Sequence, residues 1–209
     1  MRKGKFITFE GCEGVGKSTQ IRALKAYLEE RGIDHIVTRE PGGSAIAEKI
    51  RDIILSSENE GMDYACEALL YAAARAQHLK DMVIPALERG AIVICDRFVD
   101  STFAYQGIAR GLGEEFVDQL NRLSTKGIMP DITIFLDFPP QLSFKRKGGA
   151  DREDRLESQD MEFHAKVYEG YKILARREPQ RFVSIDASGS KNETREKVLA
   201  ALKSRGILE

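Results

Sequence analysis

The chain has 209 residues, 42% of them hydrophobic and 31% charged, with 32 basic and 33 acidic side chains and a net charge of −1. That composition suits one compact domain and excludes a disordered chain; no apolar run nears the roughly 18 residues of a membrane-spanning helix, and Met1-Arg2-Lys3-Gly4-Lys5 leads into only a short apolar stretch, so neither export nor membrane insertion is expected. Balanced charge gives no long-range pull toward nucleic acid, so no polynucleotide partner is expected and any anion site must be built from local Arg and Lys clusters.

In chain order, five short runs rich in β-branched and aromatic residues read as strands: Phe6 to Phe9, His35 to Thr38, Ala91 to Cys95, Ile132 to Leu136 and Phe182 to Ile185. Helical spacing fills the intervals: Lys17 to Arg31 closed by Gly32, Ala45 to Leu55, an Ala-rich stretch from Tyr64 toward Leu87 that Pro85 should kink or divide, Glu115 to Leu123, Gln159 to Arg177, and Thr194 to Ser204 with Gly206 as its cap. Alternating strand and helix predicts an α/β fold with a parallel sheet covered on both faces. Glu10, Asp96, Asp137 and Asp186 close or follow four of the strands, at the sheet edge where such folds bind ligands. No repeat, low-complexity tract or linker divides the chain, so a single domain, residues 1–209, is expected. Within it, a segment of about 141–157 stands apart: Lys145 to Glu157 pack alternating charges around Gly148-Gly149 and read as an exposed, mobile excursion.

Cys12, Cys66 and Cys95 are odd in number, lack metal-ligand spacing and have no neighbouring histidines, the pattern of reduced thiols and a cytoplasmic location. His35, His78 and His164 are scattered and read as surface or strand-edge residues without a role.

Between the first strand and the first helix, Gly11-Cys12-Glu13-Gly14-Val15-Gly16-Lys17-Ser18, followed by Thr19, fits the phosphate-loop pattern G-x-x-x-x-G-K-[ST]. Glycines let backbone N–H groups wrap a phosphate, the helix N-terminus adds positive potential, Lys17 reaches the β/γ oxygens, and Ser18 can ligate Mg²⁺. ATP is the expected ligand. None of Asn59, Asn121 or Asn192 is followed by Lys, so the guanine-reading motif of a GTPase is missing. Arg51, Arg75 and Arg97 come from separate elements that a doubly wound sheet can gather beside the loop, which suggests a small kinase with a second anion site. Two alternatives stay open: another nucleotide or deoxynucleoside kinase, and a regulatory module that holds ATP only as a structural ligand.

The motifs TREPGG (38–43), ALLYAAARAQHL (68–79), CDRFVDSTFAYQG (95–107), PDITIFLD (130–137) and DRLE (154–157), together with the phosphate loop, resemble the thymidylate kinase family. The resemblance runs from Phe6 to about Asp186. It implies a nucleoside-monophosphate-kinase-like three-layer fold with five parallel strands, Mg²⁺-dependent transfer from ATP to dTMP for dTTP synthesis, and a homodimer. It also implies roles. Glu13 meets the sugar 3′-hydroxyl; Arg39, Arg51 and Arg97 hold the acceptor phosphate, with Glu40 and Asp96 in the phosphate and Mg²⁺ network. Tyr71 stacks on thymine, Arg75 donates to its O4, Ser101, Thr102 and Gln106 frame the base, and Tyr105 crowds the 2′ position. The family often has Phe where Tyr71 stands and Tyr where Phe98 stands. Cys12 to Val15 carry no cation, so the chain is similar to the bacterial group with a basic lid. There Arg155 is the first candidate for charge compensation, with Arg146 and Arg152 beside it.

Overall fold

The computed structural model describes residues 4–146 and 155–209. The span 147–154, which holds Arg152 and the middle of the anticipated lid, lies outside the described residues.

Five strands, β1 (Lys5–Glu10), β2 (His35–Arg39), β3 (Ile92–Asp96), β4 (Ile132–Asp137) and β5 (Phe182–Asp186), form an all-parallel sheet in the order β2-β3-β1-β4-β5. The sheet is the one expected, and the acids Glu10, Asp96, Asp137 and Asp186 are each the last strand residue. Because β1 sits between β3 and β4, the chain leaves it in one direction first and the other later. The crevice at its carboxyl end is therefore the switch point where such folds bind ligands.

Period-two alternation assigns the two faces. Phe6, Val93 and Cys95 join Leu79, Val83, Leu87 and Phe98 on one side, where Tyr171 also packs on Phe135 and bonds to Glu10, and Ile7, Phe9, Ile94 and Ile134 join Leu24, Leu28 and Leu202 on the other. The α-helices among the described residues are α1 (Lys17–Glu30), α2 (Ala45–Leu55), α3 (Tyr64–His78), α4 (Ile84–Glu88), α5 (Val99–Thr102), α6 (Glu114–Thr125), α7 (Pro140–Arg146), α8 (Met161–Arg177) and α9 (Lys191–Ser204). Ser190 and Glu193 cap α9 reciprocally, which sets its start three residues before the expected Thr194.

The Ala-rich stretch divides as anticipated, and the mechanism is visible. A π-helical turn, Leu79–Val83, separates α3 from α4, and Pro85 falls in the first turn of α4, where its missing N–H costs no helical bond. A second π-helical segment, Phe103–Ala109, continues α5 where no element was predicted. It packs closely on α8: a Cβ on Gly170 would stand 2.8 Å from Ala104 Cα, so only glycine permits this approach.

Several sequence expectations are corrected. Arg155 and Leu156 are buried (3% and 7% exposed), so the charged segment does not stay outside the core at its carboxyl end. His78 is fully buried and bridges Thr38 Oγ1 (2.7 Å) to Glu40 Oε1 (3.0 Å), and His164 is buried against the rings of Phe144 and Phe163. Neither is a surface or edge residue. His35 does lie on the edge strand β2, bonded to the Ile33 carbonyl.

Candidate active site

The loop after β1 bends through positive φ at Gly11, Gly14 and Gly16, conformations open to glycine, and delivers Lys17 to the first turn of α1. Lys17 is 7% exposed, and its ammonium donates to the carbonyls of Gly11 (3.1 Å) and Cys12 (3.2 Å), bridging the loop. Cys12 and Val15 turn their side chains into the core. Burial pushes the Cys12 thiol up to about 12, with Lys17 and Arg97 opposing, so this cysteine stays a protonated filler.

One cleft of about 350 Å³ joins this loop to the acceptor candidates, a volume within the usual range of roughly 300–1,000 Å³ for small-molecule sites. Glu13, Gly14, Gly16, Lys17, Ser18 and Thr19 line it on one side, and Arg39, Glu40, Arg51, Tyr71, Arg75, Asp96, Arg97, Ser101, Tyr105 and Gln106 on the other. Thr102, Arg146 and Arg155 are absent from the lining.

Arg97 follows β3 with φ of 70°, a left-handed conformation that a side chain adopts at a cost of about 1–3 kcal/mol and that the surroundings must enforce. Its N–H donates to the Phe9 carbonyl, and its guanidinium donates to Glu13, Ser101 Oγ (3.3 Å) and Tyr171 Oη (3.0 Å). Beneath it lies Glu10, fully buried, which accepts from Phe98 N (2.8 Å), Ser101 Oγ (2.7 Å) and Tyr171 Oη (2.8 Å). Burial, reinforced by Asp100 and opposed by Arg97, pushes the Glu10 carboxyl up to about 7. Tyr105 is 6% exposed, and its hydroxyl finds no partner among the described residues although it belongs to the cleft wall. Burial holds that hydroxyl well above the usual phenol range, so it stays protonated.

Arg75 reaches the cleft from below. It is 1% exposed and donates to Glu40 Oε2 (2.7 Å), Asn121 Oδ1 (2.9 Å) and Thr102 Oγ1 (2.8 Å). Three of five N–H groups are thus committed, leaving one on each terminal nitrogen for a ligand. Glu40, in the cleft wall, has each oxygen bonded, to Arg75 and to His78, whereas Thr102 accepts from Arg75 outside the lining. Arg39 Nη2 donates to both Glu48 carboxylate oxygens (3.0 and 2.9 Å), and Arg51 donates to the Pro41 carbonyl (2.8 Å).

Arg155 is corrected. Its Nη2 pairs with buried Glu67 at 2.6 Å, its Nε donates to the Ile54 carbonyl (3.1 Å), and its backbone N–H donates to the Leu55 carbonyl. A buried carboxylate has drawn it into the fold, where the sequence alone suggested a mobile charge. Arg146 ends α7, donates to the carbonyls of Ala187 (3.2 Å) and Ser188 (3.3 Å), and lies over the Phe138 ring. Sequence reasoning missed Glu67, His78 and Tyr171. Spacing on α3 was a signal for the first: Glu67, Tyr71 and Arg75 are four residues apart and share one face.

For a divalent cation the fit is good. Asp96 Oδ1 is buried without a partner among the described residues, and Asp96 and Ser18 line the same cleft. No group of three or more metal-ligating side chains occurs among the described residues, the sparse protein coordination that Mg²⁺ accepts when phosphates and water complete its shell.

A phosphate loop at the carboxyl edge of a parallel sheet, sharing one cleft with a second arginine-lined site, defines a P-loop phosphotransferase. The family model for thymidylate kinase matches residues 9–198. The chain is 50% identical over 204 residues to the thymidylate kinase of Geobacillus thermodenitrificans (97% of this chain, 91% of the relative). It is 50% identical over 193 residues to that of Symbiobacterium thermophilum (92% and 90%), and 47% over 205 residues to that of Clostridium novyi (97% and 100%). The chain belongs to the thymidylate kinase family. Its reaction is transfer of a phosphoryl group from ATP to dTMP. No helix among the described residues is long and apolar enough to cross a membrane.

Proposed function

We propose that residues 1–209 act as one catalytic unit in which Lys17 and the phosphate loop hold ATP while Arg39, Arg51 and Arg97 hold the phosphate of dTMP. One observation carries this assignment: both sets line a single cleft, with Lys17 and Arg97 each largely withdrawn from solvent. The acceptor phosphate, with a second pKa of about 6, is mostly dianionic at neutral pH and needs no strong base. Catalysis is therefore positioning and charge cancellation.

In this scheme Arg97 exchanges Glu13 for the acceptor phosphate, and Glu13 becomes available to the sugar 3′-hydroxyl. Tyr71 stacks on the base, Arg75 donates its uncommitted N–H groups to O4, Ser101 and Gln106 frame the ring, and the unpartnered Tyr105 hydroxyl crowds the 2′ position. Ser18 and Asp96 would hold Mg²⁺, directly or through water, which supplies electrostatic neutralisation of the transferring phosphoryl group. Arg146 is the preferred additional cation, because its present partners are neutral carbonyls, and a phosphate oxygen makes a stronger, charge-assisted bond. Arg155, paired with a buried carboxylate, supports the fold instead.

A homodimer is favoured by the apolar surface. Ile46 and Ile53 on α2, Tyr64 and Leu69 on α3, and Leu123 on α6 are all 45% or more exposed, on helices packed side by side. Two buried, free cysteines suit a reducing cytoplasm, where the product would feed dTTP synthesis for DNA replication. A coupled assay of ADP release, with Mg²⁺ and with dTMP present or omitted, tests the scheme. Release that depends on both supports it; release indifferent to dTMP defeats it. Light scattering decides the dimer.

A further inference from the structure

Glu67 is completely buried on the face of α3 that carries Tyr71 and Arg75, but it is not part of the cleft wall. Its Oε2 accepts from Arg155 Nη2 (2.6 Å) and Arg110 Nη2 (3.3 Å), and its Oε1 accepts from Arg110 Nε (3.4 Å) and Gln106 Nε2 (2.8 Å). The two guanidinium groups fix the carboxylate in place. Gln106 gives the cluster a meaning beyond the fold, because it is 1% exposed and yet lines the cleft.

A glutamine amide has a donor end and an acceptor end, and whichever faces a ligand decides which base edge it reads. A carboxylate only accepts, so the bond to Glu67 draws the amide nitrogen outward and leaves the oxygen for the cleft. Arg75, on the same cleft, offers only donors. A wall presenting a donor and an acceptor matches a pyrimidine edge that pairs a C4 carbonyl with an N3–H. Cytosine carries the opposite pattern at both positions, an amino group and a bare ring nitrogen.

We infer that Glu67 is a specificity-determining positioning residue: by holding the Gln106 amide oxygen-inward, it makes the acceptor site prefer the 4-oxo, N3–H edge of thymine over cytosine. This rests on the cleft being the dTMP site. Arg110 and Arg155 serve the same end by denying the carboxylate any rotation.

Glu67→Gln keeps the shape and lets the new amide either accept from or donate to Gln106, so the inward oxygen is no longer enforced. The KM for dTMP is expected to rise roughly tenfold or more, with kcat and the KM for ATP within about twofold, and the kcat/KM preference for dTMP over dCMP to fall by about tenfold or more. A purely structural carboxylate would lower active fraction and melting temperature without moving that preference. Gln106→Met supplies the second arm. If Glu67 acts through this amide, adding Glu67→Gln to Gln106→Met changes dTMP KM and selectivity by less than about twofold. Full additivity of the two substitutions overturns the inference. Should Glu67→Gln fail to fold, Gln106→Met alone decides: lost selectivity supports the inference and unchanged selectivity overturns it. Wild-type enzyme inactive on dTMP would instead defeat the acceptor assignment, a result separable from either.

Discussion

Replacing Arg155 by alanine separates two incompatible roles for this residue. In the structure the arginine is 3% exposed and is the tighter of two cations on fully buried Glu67, at 2.6 Å against 3.3 Å for Arg110. Removing one partner of a buried ion pair costs about 3–5 kcal/mol, and the lower end applies because Arg110 and Gln106 stay on the carboxylate. At about 2–4 °C per kcal/mol for a chain of this size, a loss near 3 kcal/mol lowers Tm by about 6–12 °C. The folded enzyme, assayed well below that temperature, should keep kcat within a few-fold. An arginine that met the transferring phosphoryl group would behave differently, since such residues contribute about 10³–10⁵ in rate. Calorimetry and steady-state kinetics on one preparation decide between them. A Tm within about 1 °C of wild type, together with a kcat reduced more than tenfold, would refute the structural role and return Arg155 to the reacting groups.

Lys17→Ala removes the charge that bridges the loop and is expected to leave less than about a tenth of wild-type kcat in the ADP-release assay, with the folded state retained by circular dichroism. Arg75→Lys keeps a cation for Glu40 while losing the planar fork, so dTMP KM should rise about tenfold or more with ATP KM unchanged; equal effects on both would remove Arg75 from the base site. Glu10 is held above its ordinary range, so its ionisation opposes folding: the penalty is absent below about pH 4.5 and complete above about pH 7. Thermal melts should therefore show Glu10→Gln gaining stability relative to wild type as pH rises across that window, by up to about 3 kcal/mol. Alkylation of native enzyme should modify Cys66 alone, because burial keeps Cys12 and Cys95 protonated; mass spectrometry finding a Cys12 to Cys95 bridge would contradict this.

The sheet and phosphate loop were legible because their signals are local. Five β-branched runs, the glycines at 11, 14 and 16, and Pro85 each act within a few residues of themselves. Pairings across the fold left no comparable trace. Arg155 reads as one charge among many in KRKGGADREDRLE, and only the folded chain sets it against Glu67 from a distant helix. Glu40 and Thr102 sit inside motifs that pointed to substrate, and both accept from Arg75, a pairing the motifs do not carry because a motif records which residues matter without recording what they touch. His78 was passed over for the same reason, its two partners lying on β2 and just beyond it.

The π-helical segment Phe103–Ala109 makes the acceptor wall depend on counting as much as on identity. A wide turn accommodates one residue more than an α-helical turn, and Tyr105 and Gln106 face the cleft within that register. Deleting a single residue here would let the wide turns relax to a regular helix, withdrawing the local displacement that places Tyr105 and Gln106 while the flanking turns keep their phase. The contact with α8 at Gly170 holds the segment from behind, so the displaced residues could not simply slide back. Side chains along this stretch can thus be exchanged to retune the base the cleft accepts, whereas its length is tied to the wide turns themselves.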